Sequence, residues 1–282
     1  MNRRDTAREE SARPDDYFIG VDARELERLR DQHAAWRPET ESLWTSAGFG
    51  AGQHLVDLGS GPGFTALDLA QWVGPAGRVA ALDKASDYLD FVNTEARRRH
   101  VANVYTIETD ITRSEAIDGH FDGAFCRFFL AFLIADLDAV LSCIYRSLKP
   151  GGVFAAMEYL TLASATCSPP VRGFDAHTRA WIRFYLDNGG DTAIGSYLPA
   201  KMKNAGFRIT HSNCVGGMAR SGTRLWHWWG RLMADFGDKL AAGGLMTAEE
   251  LRQLRESWAH LTGQPDAFIH TPVLLQLVGR KD

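Results

Sequence analysis

The stretch VDLGSGPGF, Val56 to Phe64, places three glycines, Gly59, Gly61 and Gly63, directly behind an acid, Asp57. Upstream lies a short apolar run, HLVDL (54–58), and downstream TALDLAQWV (65–73) has helical spacing. A strand, a bare turn and a helix in that order form the first unit of an open α/β sheet. In such sheets ligands bind beyond the carboxyl ends of the strands, where the strand order reverses. Glycines there let the backbone turn sharply and let a ligand approach without meeting a Cβ. The start of the helix presents N–H groups that lack intrahelical partners.

Outward from this loop, strand and helix patterns alternate. RVAALD (78–83), NVYTIETD (103–110), FDGAFCRFF (121–129) and LKPGGVFAAMEYL (148–160) read as strands, the last opening on a glycine turn. SDYLDFVNTEARRRH (86–100) and DLDAVLSCIYRSL (136–148) read as helices. Strands apolar on both sides predict a parallel sheet covered by helices on both faces. Further on, 171–190 and 196–207 read as helices, RITHSNCVGG (208–217) as a strand, and FIHTPVLLQLVGR (268–280) as one final strand. Pro272 has no N–H for a ladder and belongs at that strand's beginning or on an edge. Residues 1–14 read as a flexible charged tail, and the rest as one domain. Within it, 15–50 forms an N-terminal helical cap, 51–160 a ligand-binding core and 161–282 a second half with a helical lid at about 221–262. In the cap, Asp22 suits a helix N-cap, and Pro38 is expected to end one helix and open another.

The acids narrow the ligand. A dinucleotide fingerprint reads G-x-G-x-x-G, whereas this loop reads G-x-G-x-G with Phe64 at the third fingerprint position. Asp57 beside a pyrophosphate is unfavourable, but it suits a ligand ammonium. Asp83 ends the second strand, 24 residues beyond Gly59, where a carboxylate can accept both hydroxyls of a ribose. Asp110 ends the third strand and is placed to meet an adenine amino group. Asp83 and Asp110 also suit helix N-caps. A ligand with an amine, a ribose and a base but no pyrophosphate is expected, and S-adenosylmethionine (SAM) has that chemistry.

VDLGSGPG, the acid of AALD and the LKPGG turn resemble the class I SAM-dependent methyltransferases over roughly residues 54–160. The N-terminal YFIGVDARELERL and GGDTAIGSYLPAKMKNAGF are similar to the small-molecule enzymes of that class. The resemblance implies a Rossmann-like sheet of seven mostly parallel strands, the last antiparallel. It implies that Asp57, Gly59, Gly61 and Gly63 hold the methionine portion of SAM, Asp83 the ribose, and Asp110 with Ile111 the adenine, with Ser60 and Lys84 also at the cofactor. Arg127 then borders cofactor and substrate, and Tyr17 closes over the site.

Methyl transfer from a sulfonium needs the nucleophile held in line and water excluded. Glu158, at the end of the fifth strand, is a candidate base or substrate partner, with His211 and His227 behind it and His177 on a helix that can line the cleft. Relatives often carry a histidine after the fourth strand, where this chain has Phe132, so an apolar pocket is expected. Phe128, Phe132, Glu158, Trp181, Trp226 and Trp229 are the expected substrate contacts, a set suited to an aromatic or polycyclic acceptor. The alternative on the same fold is a SAM-binding cyclase or rearrangement enzyme without methyl transfer. An NAD-dependent oxidoreductase is disfavoured by the glycine spacing, and nothing speaks for a non-catalytic scaffold.

The bulk composition agrees. A net charge of -4 without a basic block gives no reason to expect nucleic acid. No apolar run approaches a membrane span, and the N-terminus lacks a secretory h-region. Four cysteines without C-x-x-C spacing predict reduced thiols, no metal and a cytoplasmic protein. The expected partner is a small-molecule acceptor; a homodimer is open on the sequence.

Overall fold

The computed structural model describes residues 23–118 and 120–282. Tyr17 and Asp22 lie outside the described residues. Among the described residues ten strands form: β1 (His54–Leu58), β2 (Arg78–Asp83), β3 (Val104–Glu108), β4 (Phe121–Arg127), β5 (Leu148–Thr161), β6 (Thr166–Ser168), β7 (Arg208–Val215), β8 (Met218–Arg220), β9 (Phe268–His270) and β10 (Val273–Arg280). The helices are α1 (Ala23–Ala47), α2 (Phe64–Val73), α3 (Ser86–Arg98), α4 (Leu137–Ser147), α5 (Phe174–Asp187), α6 (Leu198–Asn204), α7 (Arg224–Ala242) and α8 (Ala248–Leu261).

Seven strands make the main sheet in the order β3-β2-β1-β4-β5-β10-β7. β3, β2, β1, β4 and β5 are parallel, and β10 runs antiparallel to β5 and β7. The last strand in the chain is therefore the antiparallel one. The order reverses between β1 and β4, and the register sets Leu58 beside Leu82 on one side and Cys126 on the other. The strand ends carrying Asp57, Asp83 and Arg127 thus meet at one edge. Central strands are buried on both faces, which is why they read as continuous apolar runs rather than alternating ones.

Three local expectations change. Helix α1 runs unbroken through Pro38. The ring of Pro38 is exposed, while Trp36, Leu43 and Trp44 on either side are buried, and the Thr40 hydroxyl takes the Trp36 carbonyl at 2.8 Å. Burial of that aromatic stripe outweighs the hydrogen bond lost at proline. The LKPGG turn lies inside β5 as a bulge: the register passes from Phe121 opposite Leu148 to Gly123 opposite Val153. The expected strand 268–280 is divided at Thr271–Pro272 into β9, which joins a small sheet of order β6-β9-β8, and β10.

Residues 221–262 contain α7 and α8. Thr223 caps α7 by accepting from the Trp226 amide, and Thr247 with Glu250 closes a capping box at α8. Helix α7 packs on α1 and α5. No helix among the described residues is long and apolar enough to cross a membrane.

Candidate active site

The three loop glycines all have left-handed backbones, with φ of 63°, 51° and 71° at Gly59, Gly61 and Gly63. Their missing side chains serve different ends. A Cβ on Gly59 would lie 2.1 Å from Cδ2 of Phe129, and one on Gly63 would lie 2.4 Å from Cγ2 of Val92. Those two positions are bare so that protein can pack against them. At Gly61, although the residue is buried, nothing lies within 4 Å of a Cβ, and of the three it alone faces open space. The loop is pinned by Ser60 N–H donating to the Leu82 carbonyl and Gly61 N–H donating to Asp83 Oδ2 at 2.8 Å. Helix α2 then begins without a side-chain cap.

Among the described residues, two polar atoms beside this loop lack partners. Oδ2 of Asp57 and the hydroxyl of Ser60 are buried and unbonded. Burial pushes the Asp57 carboxyl up to about 7; Arg127 opposes that rise and Asp83 adds to it. A buried, half-satisfied carboxylate is costly unless a cation meets it. An α-ammonium supplies that cation, so the residues present fit the amino-acid end of SAM. Asp83 is also raised by burial, against the amides of Ala85, Gly61 and Lys84. Its two oxygens accept from Gly61 and Ala85, which leaves lone pairs for hydroxyl donors. Lys84 is exposed. Asp110 caps the turn Ile111–Arg113, with Oδ1 accepting from the Thr112 amide and hydroxyl, while Ile111 is buried behind it.

On the other side of β4, Glu158 is fully buried, and its Oε1 accepts from the amides of Phe129 and Leu130, both at 2.8 Å. Burial pushes its carboxyl up to about 7 against those amides. The bonds fix the turn after β4, where Phe128 holds φ of 54°, an unusual conformation for an aromatic residue. Phe128 packs on Tyr159 with centroids 5.0 Å apart and edge-on to Trp36 at 6.2 Å; Phe132 packs on Tyr185 at 4.8 Å. Trp36 continues to Trp228, Trp229 and Trp181. An aromatic wall thus runs from the end of β4 up into α1, α5 and α7.

Other expected residues lie elsewhere. Trp226 stacks on Trp258 with centroids 4.0 Å apart and donates to Thr262, so it joins α7 to α8. His227 is exposed on the outer side of α7. His211 sits three registers below Glu158, on a strand two places away, roughly 10 Å down and roughly 10 Å across. His177 is buried one turn beyond Trp181, and burial pushes its pKa down to about 4.

The sequence reading missed a polar network beneath α1. His33 Nε2 meets Asp68 Oδ2 at 3.0 Å, and Arg37 reaches the same oxygen at 3.1 Å. Arg127 donates to Thr40 at 2.8 Å and Thr65 at 3.3 Å. The available signal was Asp68 itself, an acid inside the apolar helix TALDLAQWV, which requires a partner but does not say which.

Comparison with known proteins follows the same line. Residues 55–152 match the methyltransferase domain family. A ubiquinone/menaquinone biosynthesis C-methyltransferase of Pseudomonas putida is 26% identical over 202 residues, covering 66% of this chain and 76% of its own. Coclaurine N-methyltransferase, solved with N-methylheliamine and S-adenosylhomocysteine, has a TM-score of 0.55 at 17% identity, covering 86% of this chain and 71% of its own. The 4+2 cyclase SpnF has a TM-score of 0.52 at 19% identity, covering 86% and 80%. At these identities the structural likenesses speak for the fold alone. The family match over residues 55–152 and the sheet order agree: the chain is a SAM-dependent methyltransferase with the class I fold, and SAM is its cofactor.

Proposed function

We propose that the protein methylates a small aromatic acceptor seated against the wall of Phe128, Trp36, Tyr159, Phe132 and Tyr185. The observation that carries this reading is the position of Phe128. It follows Arg127 at the carboxyl end of β4 and opens the aromatic wall, while its neighbour Phe129 covers Gly59 of the cofactor loop. Flat apolar area there suits a ring system. The C-methyltransferase name of the Pseudomonas putida relative supports carbon as the receiving atom.

The bound cofactor supplies an electrophilic methyl on a sulfonium. The chain's own residues bind, orient and exclude water. Asp57 and Ser60 hold the amino-acid end, Gly61 gives it room, Asp83 takes the ribose hydroxyls, and Asp110 with Ile111 borders the base. The lid helices α7 and α8 keep water from the acceptor, which must approach within ~3–3.5 Å of the methyl carbon. His177 meets the far end of the wall at Trp181, but no histidine among the described residues packs on Phe128, and Glu158 is bound to backbone amides, so placement rather than a protein base carries the rate. Release of S-adenosylhomocysteine with a panel of hydroxylated bicyclic aromatics tests this. Turnover is expected with ring acceptors and not with aliphatic amines; the opposite preference refutes the aromatic site.

A further inference from the structure

Arg127 is a partly buried cation with no acid on it. Its Nη1 donates to Thr40 Oγ1 at 2.8 Å, and its Nη2 lies 3.3 Å from Thr65 Oγ1 and 3.4 Å from His33 Nδ1. All three partners are neutral. His33 gives its Nε2 proton to Asp68, so Nδ1 is left as an acceptor. Asp68, the acid that would best neutralise the guanidinium, is occupied by His33 and Arg37. Among the described residues no carboxylate lies within ion-pair distance of Arg127; Asp57, Asp68 and Glu39 act on it only from farther away. Burial pushes its pKa down to about 10, so it stays charged at neutral pH. Buried charges in folded proteins are normally paired, because an unpaired one loses its hydration without compensation. The guanidinium has five N–H donors in a planar fork, and the bonds to Thr40, Thr65 and His33 use Nη1 and Nη2, so the fork keeps donors for a ligand.

We infer that Arg127 is the receptor for an oxyanion of carboxylate or phenolate type, held ready by Thr40, Thr65 and His33. This rests on the transfer reading above and specifies the charge of what the site takes. Two sources carry the same chemistry there: the carboxylate of the cofactor and an ionised oxygen on the acceptor ring. Arg127 stands between the glycine loop and the aromatic wall, within reach of both. An acceptor that arrives as a phenolate needs no protein base: as its ring carbon takes the methyl, the methyl–sulfur bond breaks to leave neutral S-adenosylhomocysteine, and the ring proton passes to the oxygen as the neutral dienone becomes the phenol.

Calorimetry with two probe pairs tests the inference and separates the sources. The first pair is SAM and its decarboxylated form. The second is 2-hydroxy-1,4-naphthoquinone, an anion at neutral pH, and its neutral 2-methoxy counterpart, titrated with S-adenosylhomocysteine present. The wild type should prefer the anionic member of at least one pair, and Arg127→Gln should reduce that preference by about ten- to a hundredfold, the scale of a charged hydrogen bond. Affinity for the uncharged member should stay within about twofold. A loss in the first pair assigns the cofactor carboxylate; a loss in the second assigns the acceptor. If Arg127→Gln does not fold, Thr40→Val keeps the arginine and removes its shortest bond, and should weaken the same anion about threefold or more. Preferences unchanged in both pairs, in variants that melt like the wild type, overturn the inference and leave the methyltransferase reading intact. A wild type that binds no SAM overturns both.

Discussion

Replacing Glu158 with alanine should destabilise the protein far more than replacing it with glutamine. Oε1 of Glu158 accepts from the amides of Phe129 and Leu130, each at 2.8 Å, and the side chain is fully buried. Alanine leaves both N–H groups buried without acceptors, at about 1–3 kcal/mol each, so the expected loss is about 2–6 kcal/mol before any cavity contribution. Glutamine keeps a carbonyl oxygen in the same place and should cost about 1 kcal/mol. Urea unfolding followed by tryptophan fluorescence reads both values. Activity separates this anchoring role from catalysis by a base. A general base typically contributes about a hundredfold to ten-thousandfold, so if Glu158 removed a proton, Glu158→Gln would fold normally and lose activity on that scale. The account expects Glu158→Gln to retain most activity. A stable Glu158→Ala protein, or a stable and inactive Glu158→Gln protein, refutes it.

The folded pKa values of Asp57 and Glu158 are raised to about 7 from 3.8 and 4.5, mainly by burial. A raised acid holds its proton more tightly folded than unfolded, so this stability is full below the unfolded values and is lost as pH rises through about 7. His177, lowered to about 4 by burial, titrates in the opposite sense, so the effect is read as a difference: relative to Glu158→Gln, the ligand-free wild type should melt progressively lower as pH rises between about 5 and 7, and a constant difference across that interval contradicts the raised carboxyl. Gly59→Ala forces Phe129 off the loop, since the new Cβ would lie 2.1 Å from its ring; thermal melting should show a loss of about 1–3 kcal/mol, and a neutral result would mean Phe129 does not sit there. Trp226→Ala should cost about 3–5 kcal/mol, because the indole stacks on Trp258, while acceptor affinity stays unchanged; a selective affinity loss would move Trp226 into the site.

The sheet was legible because its strands are short apolar runs and because Asp57, Asp83 and Asp110 stand at or just beyond the ends of three of them; the third strand itself stops at Glu108, two residues short of the expected Asp110. What the sequence could not carry was distance between segments. The glycines announced a bare loop, but that Gly59 and Gly63 are bare for Phe129 and Val92 depends on how β4 and α3 pack. Glu158 was visible as an acid at a strand end, yet its binding to backbone amides across β4 was not, because main-chain donors carry no residue signature. Pro38 misled the reading of α1, since helix propensity is local and the burial of Trp36 and Trp44 is not. Histidine was sought by its chemistry near the lid, whereas His33 gained its partner from a residue 35 positions away.

The central claim is that the bare loop and the two strand-end acids grip SAM, and calorimetric titration of SAM into the wild type and Asp83→Ala tests it most directly. The account predicts one site per chain, weakened about ten- to a hundredfold when the ribose acceptor is removed. A dissociation constant unchanged in Asp83→Ala would contradict it.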